Sequence, residues 1–221
     1  MNLTELIQTA LIYALPVLFA ITVSEAAQGY VAHHFGDTTA AAQGRLTFNP
    51  LAHIDLLGTI VIPLVLYFIS AGHVLFGYAK PLQLQMGRLR NPKRDMIWVS
   101  LAGPGSNLLQ GTLWGILAYL LAGLHVEERF FVEMAQAGVQ VNVLLFAFLL
   151  FPLPPLPGGR ILMGLLPWKQ AVLLSRIEPW GFFIVMGLML TGVFGALWLG
   201  PLTSIAMTLI NLVLWPLTLL F

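Results

Sequence analysis

The sequence contains no cysteine, which excludes disulfides and cysteine-ligated metals and leaves the redox compartment unread. Charge is scarce as well. Asp, Glu, Lys and Arg make up 9% of the 221 residues, against about 25% in a soluble domain, so there is too little charge to cover a water-facing surface. The net charge of +1 gives no electrostatic reason to expect a nucleic-acid partner. No Lys or Arg precedes Arg45. The N-terminus therefore lacks the basic region, and also the small-residue cleavage site, of a signal peptide, and its first apolar stretch is expected to stay in the mature protein. No internal repeat, low-complexity linker or soluble domain is visible. What fills the chain is apolar: 58% of residues are hydrophobic and the mean hydropathy is +0.88. The expectation is one integral membrane domain over residues 1–221.

A membrane-crossing helix needs about 20 apolar residues. Leu6 to about Val23 supplies such a run, interrupted only by Pro16, and the helix is expected to continue through Glu25 and Gln28 to His34. Residues 37–56 are mixed and read as irregular or short β structure. Residues 56–79 are apolar but broken at Gly58, Pro63 and Gly72. Residues 80–95 form a basic loop, and Met96 to about Leu124 a long helix. A polar turn at 125–129 leads to a span over 130–151. The run Pro152-Leu153-Pro154-Pro155-Leu156-Pro157 cannot be helical throughout, because prolines remove donors and clash with the preceding turn. Residues 161–179 read as a short interfacial segment, and two apolar stretches, 180–199 and 201–221, close the chain. The fold class expected is all-α and polytopic, with five to six transmembrane helices, a re-entrant segment and short β or irregular loops near the cytoplasmic face. The core covers 6–160 and a C-terminal helical pair 177–221.

Several motifs occur in a fixed order over roughly residues 10–165: Ser24-Glu25-Ala26-Ala27-Gln28-Gly29, Gly44-Arg45-Leu46, Asn49-Pro50-Leu51-Ala52-His53-Ile54-Asp55, Gly77-Tyr78-Ala79-Lys80-Pro81, Asn91-Pro92-Lys93-Arg94-Asp95, Ala102-Gly103-Pro104-Gly105-Ser106-Asn107 and Leu153-Pro154-Pro155-Leu156-Pro157-Gly158-Gly159-Arg160. Together they resemble the site-2 protease (M50) family of intramembrane zinc metalloproteases, in its compact bacterial form without a PDZ domain. The resemblance implies a polytopic helical fold, zinc in the active relatives and a cleft for a transmembrane helix. It also implies a His-Glu-x-x-His site, with the two His on one helix face holding zinc and the Glu acting as general base. This sequence departs from the pattern at the chemistry. The two His positions hold Ser24 and Gln28, and the third ligand position, an Asp in the family, holds Pro157. Glu25, the family base, remains, as does Asn107, a polar residue that could line a cleft.

Without ligands there is no zinc-polarised water for Glu25 to deprotonate, so the favoured role of Glu25 is an idle base buried and hydrogen-bonded inside the bundle. The other histidines do not rebuild a site by sequence. His33 and His34 diverge around a helix, His53-x-Asp55 reads as loop scaffold, and His73 is isolated. Arg160 reads as an interface anchor, and the Gly103–Ser106 run as small-residue packing. The resulting expectation is a zinc-less pseudoprotease with no cofactor, contacting lipid and a transmembrane helix of a substrate-like protein. The alternative is an active zinc endopeptidase, or its parent sequence before engineered substitution. A solute transporter is disfavoured, since no paired charges or duplicated broken helices appear. If 56–79 dips into the membrane and returns, Arg45 and the 80–95 loop share a side. The basic residues then place the N-terminus outside and the C-terminus in the cytoplasm of a bacterial inner membrane.

Overall fold

In the computed structural model the described residues are 3–53, 61, 62, 65 and 82–219. The elements are α1 (Leu3–His34), a single turn α2 (Thr39–Ala42), a 3-10 turn at Pro50–Ala52 and another at Met86–Arg88. They continue with α3 (Pro92–Gly123), α4 (Arg129–Leu149), α5 (Pro157–Leu165), α6 (Trp168–Ser175), α7 (Gly181–Leu190) and α8 (Gly200–Leu214). No strand occurs among the described residues, so the 37–53 segment takes the irregular alternative, built from single helical turns.

Pro16 lies inside α1 and Pro104 inside α3, both fully buried. A proline is tolerated there because neighbouring helices surround the freed carbonyl. The start of α3 explains the Asn91-Pro92 motif. Pro92 occupies the first helical turn, where its missing N–H costs nothing. Asp95 reaches back to accept from the Asn91 backbone N–H at 2.7 Å.

α3 is the central helix. Its first third runs antiparallel to the end of α1: Val99 packs with Ala32, Phe35 and Met96, while Gly103 faces Ser24 and Gln28. Further along, Gly111 faces Asn142 of α4 and Trp114 faces Gly138, so α3 and α4 are also antiparallel. α8 closes the far side, with Ile210 and Leu214 against Gly111 and Gly115. These glycines let helix axes approach closely, which is how membrane bundles gain packing contacts without a hydrophobic driving force.

Among the described residues, four stretches are long and apolar enough to cross a membrane: Ile7–His34, Arg129–Leu149, Trp168–Leu190 and Gly195–Leu217. α3 has 32 residues but turns Ser100, Asn107 and Gln110 inward, which lowers its hydropathy. Two sequence boundaries shift. Residues 161–179 are not one interfacial piece: α5 and α6 divide them, and α6 belongs to a stretch continuing to Leu190. The C-terminal pair breaks at Thr191–Gly192 rather than near residue 200. Gly192 has φ +73°, a conformation that favours glycine. Pro201 instead sits in the first turn of α8, where it continues the helix.

The two loops flanking residues 54–81 meet. Gln43 Nε2 donates to Gln83 Oε1 at 2.8 Å, the Gln85 backbone N–H donates to Asp37 Oδ2 at 2.7 Å, and the Arg90 N–H donates to the Phe35 carbonyl at 2.9 Å. Asp37 is fully buried. Burial raises its pKa, yet bonds from the Thr39 hydroxyl and N–H, the Gln85 N–H and the Arg88 charge outweigh this and hold it below the usual value. The end of α1 and the start of α3 therefore lie at one end of the bundle. The proposed re-entrant path, with Gly58, Pro63, Gly72 and His73, lies outside the described residues. Gln43→Cys and Arg90→Cys, introduced singly into this cysteine-free chain, are expected to react with an impermeant maleimide from the same side of the membrane. Labelling from opposite sides would refute the shared-end arrangement.

Candidate functional site

Ser24, Glu25 and Gln28 occupy the last third of α1, with Ser24 and Gln28 on one face and Glu25 turned to another. Ser24 and Gln28 are buried against α3. A Cβ added at Gly103 would lie 2.6 Å from Gln28 Nε2 and 3.0 Å from Ser24 Oγ, so the side chains fill the space that glycine leaves. Gln28 Nε2 donates back to the Ser24 carbonyl at 3.4 Å.

Glu25, one residue on and so about 100° around the helix, points to the 45–53 loop. Its Oε2 accepts from Arg45 Nη2 at 2.6 Å and meets His53 Nδ1 at 2.8 Å. The three side chains are 15%, 5% and 2% exposed, respectively. The loop is shaped to deliver both partners. Gly44, at φ +66° with nothing near its missing Cβ, reverses the chain so that the Arg45 N–H closes on the Ala40 carbonyl at 2.9 Å. Asn49 caps the Pro50–Ala52 turn through the Leu51 N–H at 3.1 Å, and that turn orients His53. His53 Nε2 lies 2.9 Å from the Thr47 carbonyl. A carbonyl only accepts, so Nε2 carries a proton.

Pro157 is buried at the first turn of α5. α5 packs on α3, with Gly164 against Ile97 and the Lys93 carbonyl. Pro157 carries no side-chain donor, and Ser24 and Gln28 offer a hydroxyl and an amide.

Asn107 is fully buried, not lining an open cleft. Its Oδ1 accepts from Gln110 Nε2 at 3.4 Å, and its Nδ2 has no partner among the described residues. Asn142, which the sequence reading passed over, is equally buried across from Gly111. Its Nδ2 donates to the Gly138 carbonyl at 2.9 Å and its Oδ1 has no described partner. A lone Asn in the apolar 130–151 run was the available signal. His33 and His34 are exposed and join no cluster. Arg160 is half-buried. Burial pushes its guanidinium below its ordinary pKa, and the Glu178 charge opposes this.

Ser24, Gln28 and Pro157 do not fit a zinc ion. Zinc takes Cys, His, Asp or Glu donors, with three from the protein in a catalytic site. Ser24, Gln28 and Pro157 provide none of these, and Gln28 is packed against Gly103. Among the described residues, no group of three or more His, Cys, Asp or Glu could hold a metal.

Comparison with known proteins gives two relatives. The chain is 36% identical over 180 residues to "Putative zinc metalloprotease YwhC" of Bacillus subtilis, covering 79% of this chain and 78% of that protein. The chain belongs to the site-2 protease family. A second member, "Putative zinc metalloprotease Rip2" of Mycolicibacterium smegmatis, is 32% identical over 184 residues, covering 79% of this chain and 64% of that one. No family profile and no solved structure matches the chain. Glu25, which the resemblance would make the general base, is held by Arg45 and His53, while Ser24 and Gln28 pack against Gly103.

Proposed function

We propose that this site-2-protease-like membrane protein is a zinc-less pseudoprotease, which keeps the family scaffold and binds a transmembrane helix of a substrate-like protein without cleaving it. One observation carries the reading. At the three ligand positions the zinc donors are absent, and the remaining Glu25 carboxylate is already engaged by Arg45 and His53. The basic residues and the shared end of α1 and α3 support an N-terminus outside and a C-terminus in the cytoplasm of a bacterial inner membrane. Ser24, Gln28 and Asn107 are all buried, so a partner helix would reach them only when α1 and α3 part. The names of the two relatives favour the competing reading, an active zinc-dependent endopeptidase.

Metal analysis separates the two. The protein purified from zinc-supplemented cells is expected to carry far less than one zinc per chain. One equivalent, removed by a chelator and lost in His33→Ala or His53→Ala, would restore the enzyme. A second arm combines Ser24→His, Gln28→His and Pro157→Asp, which supplies three ligands beside Glu25. This variant is expected to take up zinc and to cleave a transmembrane helix that an active relative cleaves. A folded, zinc-loaded variant that cleaves nothing would show that the scaffold has lost its cleft as well.

A further inference from the structure

Between the last turns of α1 and the first third of α3 lies a groove of about 540 Å³, lined by Tyr30, His34 and Phe35 on one side and Trp98, Leu101 and Ala102 on the other. Its walls present almost only carbon. Tyr30 and Trp98 are 43% and 54% exposed, so the groove opens outward from the bundle, on the part of α1 apolar enough to cross a membrane. Its volume falls in the range of about 300–1,000 Å³ that takes one small ligand.

The mouth of the groove is cationic. Arg94 precedes Trp98 by one helical turn and so shares its face of α3. Arg90 is fixed beside the groove, its N–H bonded to the carbonyl of Phe35 and its side chain lying over Gly36. Arg90, Lys93 and Arg94 are exposed, and none forms an ion pair with another described residue. His34, edge-on to Phe35 at 5.2 Å between ring centroids, adds a ring N–H donor at the rim. An apolar slot floored by Trp98 and headed by guanidinium groups complements one kind of molecule. The slot takes a hydrocarbon chain, and the arginines take a phosphate, which their planar forks bind bidentately.

We propose that this groove is a binding site for an anionic phospholipid, with one acyl chain along Phe35, Trp98 and Leu101 and the headgroup phosphate against Arg90 and Arg94. The proposal rests on membrane residence alone and stands whether or not the protein binds zinc. It differs from general attraction of a basic loop to an anionic surface, because it requires the slot as well as the charge.

The test uses the full chain in nanodiscs, with Trp fluorescence quenched by lipids brominated on the acyl chain. Brominated phosphatidylglycerol is expected to quench the Trp98 contribution, defined by subtraction of Trp98→Phe, at roughly 30-fold lower mole fraction than brominated phosphatidylcholine. That follows from about 1 kcal/mol for each of two arginines near the anionic phosphate. Arg90→Gln with Arg94→Gln should bring the two lipids level. Ala102→Phe, which fills the slot and leaves every charge in place, should remove the Trp98 signal for both. Each variant is checked for unchanged circular dichroism and thermal stability, and Leu101→Ala replaces Ala102→Phe if the latter misfolds, with a weakened signal expected. Equal quenching of the native protein by the two lipids would overturn the proposal. So would a phosphatidylglycerol preference that survives the double arginine variant, or Trp98 quenching unaffected by Ala102→Phe. Displacement of the lipid signal by a single transmembrane peptide at equimolar amounts would assign the groove to a protein partner instead.

Discussion

Glu25→Ala is expected to destabilise the protein by about 3–5 kcal/mol, the cost of removing one partner from a buried ionic group and leaving the others uncompensated. Arg45 and His53 converge on the same carboxylate oxygen, at 2.6 and 2.8 Å, and both are nearly inaccessible to water. Without it, the Arg45 charge and the hydrogen-bond demand of both side chains stay buried against the side of α1. At roughly 2–4 °C per kcal/mol for a chain of this size, the melting temperature in mild detergent should fall by on the order of 10 °C. The 37–53 loop should become the first site of proteolysis. Glu25→Gln, which keeps an acceptor and loses the charge, should fall between. The outcome separates structural from chemical roles: a general base changed to glutamine stops turnover with little loss of stability, whereas a tie changed to alanine loosens the loop. A melting temperature for Glu25→Ala within a degree of the native protein would sink the tie.

The second large effect is expected at the Pro152–Gly159 turn. A Cβ at Gly158 would overlap the carbonyl of Leu150, one at Gly159 would overlap the backbone at Leu153 and Pro154, and one at Gly181 would overlap the Pro154 carbonyl. The start of α5 and the start of α7 thus clasp the same turn from two sides, with backbone against backbone. A side chain can rotate away from an added methyl group and a carbonyl in a proline-rich turn cannot. Gly158→Ala and Gly181→Ala should therefore each cost about 3 kcal/mol or more, at or above the upper end of ordinary overpacking. Gly105 and Gly187 are the controls, since nothing lies within 4 Å of an added Cβ at either. Alanine there should be neutral or stabilising by up to about 1 kcal/mol, from helix propensity. Measured by thermal unfolding of the four variants, equal effects at all four sites would show that the clasp does not exist.

The apolar runs, the scarcity of charge and the helix-breaking prolines are properties of consecutive residues, and they were legible directly. α1 ends where its apolar run meets His33 and His34, and α4 stops short of the Pro152 turn, whereas α3 begins at Pro92, ahead of the Met96 start expected from the apolar run. The loss of zinc donors at Ser24, Gln28 and Pro157 was legible for the same reason, because a proline has no side-chain donor in any fold. Other features were ambiguous by sequence. Residues 161–179 carry Trp168, Lys169 and Arg176, which mark an interface equally well at a helix end, so their division into α5 and α6 could not be read. The two closing apolar stretches were divided near residue 200, whereas the helices part at Thr191–Gly192 and Pro201 lies in the first turn of α8.

The partnership of Glu25 with Arg45 and His53 could not be read at all. It spans 20 and 28 residues and depends on two loop turns, at Gly44 and Asn49, adding up to one direction. By sequence, Arg45 counted only as a basic residue and His53 only as scaffold. The burial of Asn107 and Asn142 at one interface is also tertiary, since each sits on its own helix and only the antiparallel packing of α3 and α4 brings them to the same core. The sequence by itself determined that this protein lives in a membrane, that it is helical, and that Ser24, Gln28 and Pro157 carry no imidazole or carboxylate, because hydropathy and side-chain chemistry belong to residues one at a time. Only the tertiary structure decided which side chains hold Glu25, that the loops on either side of residues 54–81 share an end of the bundle, and that an apolar groove opens between α1 and α3. Those depend on where distant segments meet, and packing, not local pattern, sets that.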